Sequence, residues 1–495
     1  MAVSGMVAHQ VEKERVRPLF YFCAVGLLAC LALGGGAGYG FLSEIILEVL
    51  CLPLIFAGLW MQLDRDAPRL SRGPVLFCAA VVVLALLELV PLPPIIWTHL
   101  PGREPVVSAL KLVGGESTWR SVSLRPDASW LVALSLIPAL SVFLCALALG
   151  AKERRLLTLV ALAGAVLNAL LGLAQISGGP DSPLRFYEGT STEAVGFFAN
   201  RDHFAALLYA SVPFVGAWVL SLSHDALRRQ SSETRLNAFM ALLLGACVSI
   251  ILLIAEVMAR SRAGIALIFV ALVGAALLLW RERRSAGIVS GAGLAVAVIG
   301  ATATLLISNY AISRLASRLG GSLDVLQRVA LAGKTISAGL SVAPLGAGAG
   351  AFVPLFAMFE HPRDLIANVY VNHAHNDLAE IWAETGVVGV FLIGVMFVWI
   401  FRRAIDVWRQ PIEEGVAPID VLLPRAATIS IVLLSVHSLV DFPLRTSANL
   451  SIFAVACALL TAPPGWGKTG AANRTTPAPF ETKRASRTAG RHRTS

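Results

Sequence analysis

The run Val371-Asn-His-Ala-His-Asn-Asp-Leu-Ala-Glu-Ile-Trp-Ala-Glu-Thr-Gly386 places two histidines directly ahead of three spaced carboxylates. Asp377 followed three residues later by Glu380 predicts a capping box, so a helix should begin just after the histidines. Asp377, Glu380 and Glu384 then share one face, with His375 at the helix mouth. Three readings compete. In the first, His375 is a general base, because imidazole titrates near neutrality and can take a proton from a hydroxyl. In the second, the segment is a capped amphipathic helix with incidental histidines. The third is a metal site from His373, His375 and Asp377, although residues two apart on an extended chain point to opposite sides.

Ala259-Arg-Ser-Arg-Ala-Gly264 sets Arg260 and Arg262 between two apolar runs. Either these arginines snorkel from a bundle end, or one grips a phosphate or carboxylate with its planar fork of donors. Leu326-Gln-Arg328, Lys334 and Pro344-Leu-Gly-Ala-Gly-Ala-Gly-Ala-Phe352 form a third cluster. Its alternating glycines resemble a nucleotide fingerprint only superficially, since no strand or βαβ unit precedes them. Tight turning at a helix end is the expectation. In His437-Ser-Leu-Val-Asp441-Phe-Pro-Leu-Arg445, His437 and Asp441 lie four apart and face the same way. A structural hydrogen bond between them and a catalytic role both stand open.

Composition says what must hold these side chains. Of the residues, 56% are hydrophobic and 14% charged, with a mean hydropathy of +0.74. This balance excludes an ordinary water-surrounded enzyme, a disordered chain and a disulfide-rich secreted scaffold. The apolar residues come in runs of about 20, each long enough to cross a bilayer. The predicted fold is an all-α polytopic membrane protein with about 12 transmembrane helices, near 19–40, 42–61, 74–97, 128–150, 156–177, 203–222, 237–258, 263–280, 286–307, 386–401, 424–440 and 447–462.

The net charge of +9 would suit a nucleic-acid partner, but its distribution does not. Twelve crossings put 26 of the 40 Lys and Arg residues on one side, with at least three in each short loop, and spread the other 14 over longer loops. The positive-inside rule makes the first side cytoplasmic, with both termini on it. Membrane lipid is therefore an expected partner and nucleic acid is not. Leu27-Leu28-Ala29-Cys30 resembles a lipoprotein cleavage box, yet removing the first span would break the topological parity, so it reads as an uncleaved anchor.

Residues 1–18 read as a cytoplasmic N-terminus, 19–190 as transmembrane helices one to five, 191–462 as a second transmembrane region, and 463–495 as a disordered basic cytoplasmic tail. Segment 98–127, with Leu100, Val106, Leu110, Val113 and Trp119 among charges, suits a stretch lying on the membrane. The outer loop 308–385, between helices nine and ten, is too long to be mere connection. Leu323, Leu326 and Val329 recur at helical spacing, and Asp324 sits four before Arg328, so the loop should be partly helical. All seven cysteines fall inside predicted spans, and no disulfide staple is expected. The absence of an internal repeat weighs against a two-halves transporter.

Taken in order, Gly196 with Asn200, Ser261-Arg262-Ala263-Gly264, Pro344-Leu345-Gly346 with Gly348, and His375-Asn376-Asp377 with Glu384-Thr385-Gly386 resemble the O-antigen ligase and polymerase superfamily of bacterial envelope glycan transferases. The resemblance covers residues 190–460, and the first five spans match only in topology. It implies a GT-C-like fold in the bacterial inner membrane and an undecaprenyl-pyrophosphate-linked glycan as donor at the periplasmic face. It implies no nucleotide sugar, cofactor or metal. By the same resemblance His375 is the base, and Arg262, Arg328, Asn200 and Asn376 bind substrate; Arg260 is a further candidate, because helix register decides which of Arg260 and Arg262 faces the site. The aromatic that often follows the loop arginine is absent here, with Leu331 nearby. The acceptor would be lipid A–core in a ligase, or a growing polysaccharide in a polymerase of O-antigen or exopolysaccharide repeat units. Transfer to a protein hydroxyl is a further variant, and a transporter of a small anion is the reading from another class.

Overall fold

The computed structural model describes residues 2–36, 41–63, 69–187, 192–229, 232–286, 323–360, 370–413 and 416–461. Among them the backbone is nearly all helical, with a single isolated β-bridge between Leu92 and Arg120. Seven helices are long and apolar enough to cross a membrane: Leu42–Leu63, Pro126–Ala148, Ala151–Ser177, Arg201–His224, Arg235–Ala259, Asp377–Arg409 and Ile419–His437. Four shorter apolar helices, Pro18–Leu33, Arg72–Leu87, Arg262–Leu278 and Ser447–Leu460, fall on further expected spans. Residues 287–307 of expected span nine, loop residues 308–322 and 361–369, and the tail 463–495 lie outside the described residues.

The elements are α1 (Ala2–Leu33), α2 (Leu42–Leu63), α3 (Arg69–Leu87), α4 (Pro94–Trp97), α5 (Glu104–Lys111), α6 (Pro126–Ser135), α7 (Ile137–Ala148), α8 (Ala151–Ser177), α9 (Arg201–Arg229), α10 (Ser232–Ala259), α11 (Arg262–Ala286), α12 (Leu323–Ser341), α13 (Phe352–Ala357), α14 (Asp377–Arg409), α15 (Ile419–His437) and α16 (Ser447–Leu460). The centre of the bundle is α9, α15 and α16. Phe204 to Ala210 of α9 are fully buried, where Ala205, Ala206 and Ala210 let α10, α11 and α15 close around the helix. The periphery turns leucine and aromatic side chains outward, as with Trp60, Phe239 and Leu244, which suits a lipid surround.

Expected span three is shorter than 74–97. Its helix ends at Leu87, because Pro91 and Pro93 cannot continue it, and the chain restarts as α4. Trp97 is buried and donates its indole N–H to Thr118 O at 2.9 Å, whereas Leu112, Val113 and Trp119 of the same segment are exposed. Expected loop helix 323–329 is present as the start of α12.

At position 386 α14 is interrupted by a kink. Gly386 takes φ 59° and ψ −148°, which frees the carbonyls of the turn before it. The glycine-rich turn after α12 fills them: Ala347 N–H donates to Ala383 O at 3.0 Å and Gly348 N–H to Glu384 O at 2.7 Å. In return Val387 N–H donates to Pro344 O at 2.9 Å. Gly346 has φ 84° and Gly348 has φ 99°, and a Cβ at Gly346 or Gly386 would drive into the facing backbone. The Pro-Leu-Gly and Thr-Gly motifs are thus two halves of one backbone lock.

Candidate functional site

Four helix termini meet at one end of the bundle: the starts of α9, α11 and α14 and the end of α15. The segment that follows α15, Ser438 to Phe442, joins most of them. Ser438 O accepts from Asp377 N–H at 2.8 Å, Leu439 O from Asn376 Nδ2 at 2.9 Å, and Val440 O from an Arg328 guanidinium N–H at 2.7 Å. Asp441 Oδ1 lies 2.9 Å from His375 Nδ1. Phe442 sets its ring against the imidazoles of His373, His203 and His375, with centroids 4.2, 4.8 and 5.1 Å away.

His375 is held in this arrangement by both neighbours. On one side Glu380 accepts from His373 Nδ1 at 2.8 Å and from Ala374 N–H at 2.7 Å. On the other, Asn376 is tied to Leu439. Between them His375 takes φ 49°, a left-handed conformation sparsely populated outside glycine. Its side chain is 29% exposed, while that of Asp441 is fully buried. Burial alone would raise the Asp441 carboxyl, but the His375 hydrogen bond and the fields of His203 and His437 outweigh it and hold the group below the ordinary carboxylate range. An ionised Asp441 can only accept, so Nδ1 of His375 carries a proton, and in the neutral ring the lone pair is then on Nε2. This is the arrangement that a buried carboxylate imposes on a base.

The capping expectation is corrected by one residue. Asn376 is the N-cap of α14, its Oδ1 accepting from Ala379 N–H at 3.0 Å. Glu380 is drawn to His373 and Ala374, so no reciprocal box with Asp377 forms. The shared carboxylate face is real, and Arg445 serves all of it: Nε to Asp377 at 3.1 Å, and the two terminal nitrogens to Glu380 and Glu384 at 3.2 Å each. His373, His375 and Asp377 therefore turn to three different partners and do not converge on one point.

Arg328, on α12, also faces Asp202 Oδ2 at 3.6 Å. The expected partner Asp324 has its side chain outside the described residues. Asn200 stands at the head of α9, where its Oδ1 accepts from Asp202 N–H at 2.8 Å, so its side chain shapes the helix start that presents Asp202. Next along, Arg201 pairs with Glu193 Oε1 at 2.9 Å. Burial would raise the Glu193 carboxyl, but Thr192 and the charges of Arg201 and Arg260 bring it below its ordinary value. Arg260 takes φ 55°, and Arg262 is the first residue of α11. Ser261 Oγ accepts from Gly264 N–H at 2.9 Å, and Gly264 lets α11 start hard against Ala205 of α9. The structure therefore gathers His375, Asn376 and Arg328 at one loop. Arg260 lies within electrostatic reach of Glu193, and Arg262 opens α11.

Sequence reasoning misses two members of this site, Arg445 and Phe442, and leaves a third, Asp441, open between a bond to His437 and a catalytic role. Asp441 was weighed against His437, yet the two make no side-chain bond; Asp441 turns to His375, and His437 Nδ1 lies 2.7 Å from Tyr209 Oη. Arg445 was not singled out, although three carboxylates on one face of an apolar chain demand a buried cation. Phe442 carried no signal beyond its adjacency to Asp441.

Fold and site together define a multi-pass helical membrane protein with an imidazole–carboxylate pair and arginines at one bundle end. Residues 247–394 match the family model described as O-antigen ligase, and this supports the O-antigen ligase and polymerase superfamily. The matched stretch contains Arg260, Arg262, Arg328, His375 and Asn376, and ends before Asp441 and Arg445. The match supports a glycosyltransferase-like enzyme of ligase or polymerase type in the O-antigen pathway, with lipid-linked polysaccharide substrates in general. No curated protein matches the chain.

Proposed function

We propose that this protein is an inner-membrane glycosyltransferase that moves an undecaprenyl-pyrophosphate-linked glycan onto lipid A–core at the periplasmic face. The observation that carries the reading is His375, oriented by buried Asp441 and so held against the Ser438–Phe442 segment that also receives Arg328. A sugar hydroxyl is a weak nucleophile. As its oxygen attacks the anomeric carbon, His375 Nε2 takes its proton, and the bond from that carbon to the pyrophosphate oxygen breaks with its electron pair. Negative charge grows on the departing lipid pyrophosphate, where Arg262 and Arg328 meet it with fixed donors near the low-dielectric membrane, without a metal. Direct displacement from the opposite face inverts the anomeric centre. Asn376 and Asn200 act by holding the starts of α14 and α9, and Arg260 adds positive charge beside Glu193.

The test is the surface-glycan profile of a deletion strain rescued with wild type or His375→Ala. Lipopolysaccharide is run on a gel beside secreted polysaccharide. Loss of the long-chain ladder, with polymer accumulating on the undecaprenyl carrier, supports ligation. Loss of high-molecular-weight secreted polymer with an intact ladder replaces it with repeat-unit polymerisation on the same site. No change in either, together with donor-independent anion uptake in vesicles, would falsify glycosyl transfer in favour of a transporter.

A further inference from the structure

Beneath His375 lies a layer of buried groups that the transfer step does not use. Tyr209 of α9 and His437 of α15 are both fully buried, and Tyr209 Oη lies 2.7 Å from His437 Nδ1. Among the described residues, His437 Nε2 and Asp441 Oδ2 each lack a hydrogen-bond partner. One backbone turn joins the two residues, with Asp441 N–H donating to His437 O at 2.9 Å, so their side chains leave the same face. The Asp441 carboxylate lies within electrostatic reach of His437. The atoms are also complementary. A phenol O–H donated to Nδ1 leaves the imidazole proton on Nε2, which is a donor, and Oδ2 of a carboxylate is an acceptor. Buried polar atoms are rarely left unsatisfied in a working site.

We infer that His437 is a positioning residue for the transfer: its Nε2–H reaches Oδ2 of Asp441 through one bridging water, while His375 holds Oδ1, and Tyr209 fixes the tautomer that makes this sharing possible. The inference rests on the reading of His375 as the base. Its consequence is a matter of charge. A carboxylate that serves two donors orients His375 without concentrating its full negative charge on that one ring. The base is then easier to keep neutral and ready for a hydroxyl proton. Without His437, Asp441 holds the His375 imidazolium more strongly.

Other ionisable groups face this pair. His203 and Asp202 come from α9, Arg328 from α12, and His373 from the strand-like segment before α14. Glu256 of α10 lies behind Tyr209. All five stay in place in each variant below, so their titration is common to every curve.

The experiment measures the protonation of His375 apart from turnover. Full-length protein in lipid nanodiscs is pulsed with diethyl pyrocarbonate across a pH series, and carbethoxylation of His375 is quantified by mass spectrometry. Only neutral, accessible imidazole reacts, and His375 is part-exposed whereas His437 and His203 are fully buried. His437→Leu should raise the midpoint of the His375 curve by about one pH unit, roughly a tenfold loss of neutral ring at a fixed acid pH. His437→Gln, which keeps an N–H donor near the Nε2 position, should hold the wild-type midpoint. Tyr209→Phe should move it in the same direction as His437→Leu by a smaller amount, and it carries the test if His437→Leu does not fold. A wild-type midpoint in both His437→Leu and Tyr209→Phe, or equal shifts in His437→Leu and His437→Gln, overturns the inference. Transfer activity of His375→Ala is read in parallel. Full activity there overturns the base reading whatever the midpoints show, and lost activity with unmoved midpoints overturns only the role of His437.

Discussion

His375 Nδ1 and Asp441 Oδ1 stand 2.9 Å apart although 66 residues separate them in the chain. The contact fixes which imidazole nitrogen is free, and so which atom can receive a proton. It also joins the helix that begins at Asp377 to the loop that ends α15, making the orientation of this imidazole a property of two elements at once.

Asp441→Asn should therefore remove activity while leaving the fold. The amide can donate to Nδ1 and favour the wrong tautomer, placing the proton on Nε2. A loss of about 10²–10⁴-fold in transfer rate is expected, measured with a lipid-linked glycan and acceptor in nanodiscs. A rate within about threefold of wild type would detach Asp441 from the chemistry.

The depressed Asp441 carboxyl also sets a pH signature. A group whose folded value lies below its unfolded one, about 3.9, contributes stability that is fully present above that pH and is lost as pH falls through the folded value. The melting-temperature gap between wild type and Asp441→Asn should hold between about pH 5 and 4 and close below about 4. A gap that stayed constant down to pH 2 would place no titrating carboxylate at this position.

Arg445 pairs with three carboxylates, each of them less than a tenth exposed. Arg445→Met leaves Asp377, Glu380 and Glu384 without their shared cation, and a loss of about 3–5 kcal/mol of stability is expected. Denaturant unfolding in detergent measures it. Adding Glu384→Gln to Arg445→Met should recover part of the loss, and the absence of any recovery would contradict a charge-based origin.

Gly386→Ala and Gly346→Ala each set a Cβ against a backbone carbonyl at a positive φ. Each should cost at least about 1–3 kcal/mol, with the His375 loop loosened as a consequence. Limited proteolysis between α12 and α14 reports it; a cleavage rate equal to wild type in both variants would mean the lock does not hold this loop.

Arg260 and Arg262 can be told apart by their surroundings. Arg260 shares the field of Glu193 with Arg201, whereas Arg262 opens α11. Arg262→Ala should lower the transfer rate by about 10²–10³-fold, the scale of losing one transition-state donor. Arg260→Ala should lower it by less than about tenfold. The reverse order in the same nanodisc assay would reassign the pyrophosphate contact.

Much of this molecule was readable from local sequence. Apolar run length reports which segments can become lipid-facing helices, since every backbone polar group in a bilayer must be satisfied within its own segment. For the same reason the face shared by Asp377, Glu380 and Glu384, and the helix over Leu323 to Val329, followed from spacing alone. What spacing could not say was where those side chains would find partners. Asn376 outcompeted Asp377 for the cap because Glu380 was needed by His373 and Ala374. Asp441 turned from His437, its neighbour on the same turn, to His375. Arg445 settled under three carboxylates that begin 68 residues earlier. In each case a buried charge or donor must be matched within about 3 Å, and which group lies at that distance is decided only when separate helix ends are packed together.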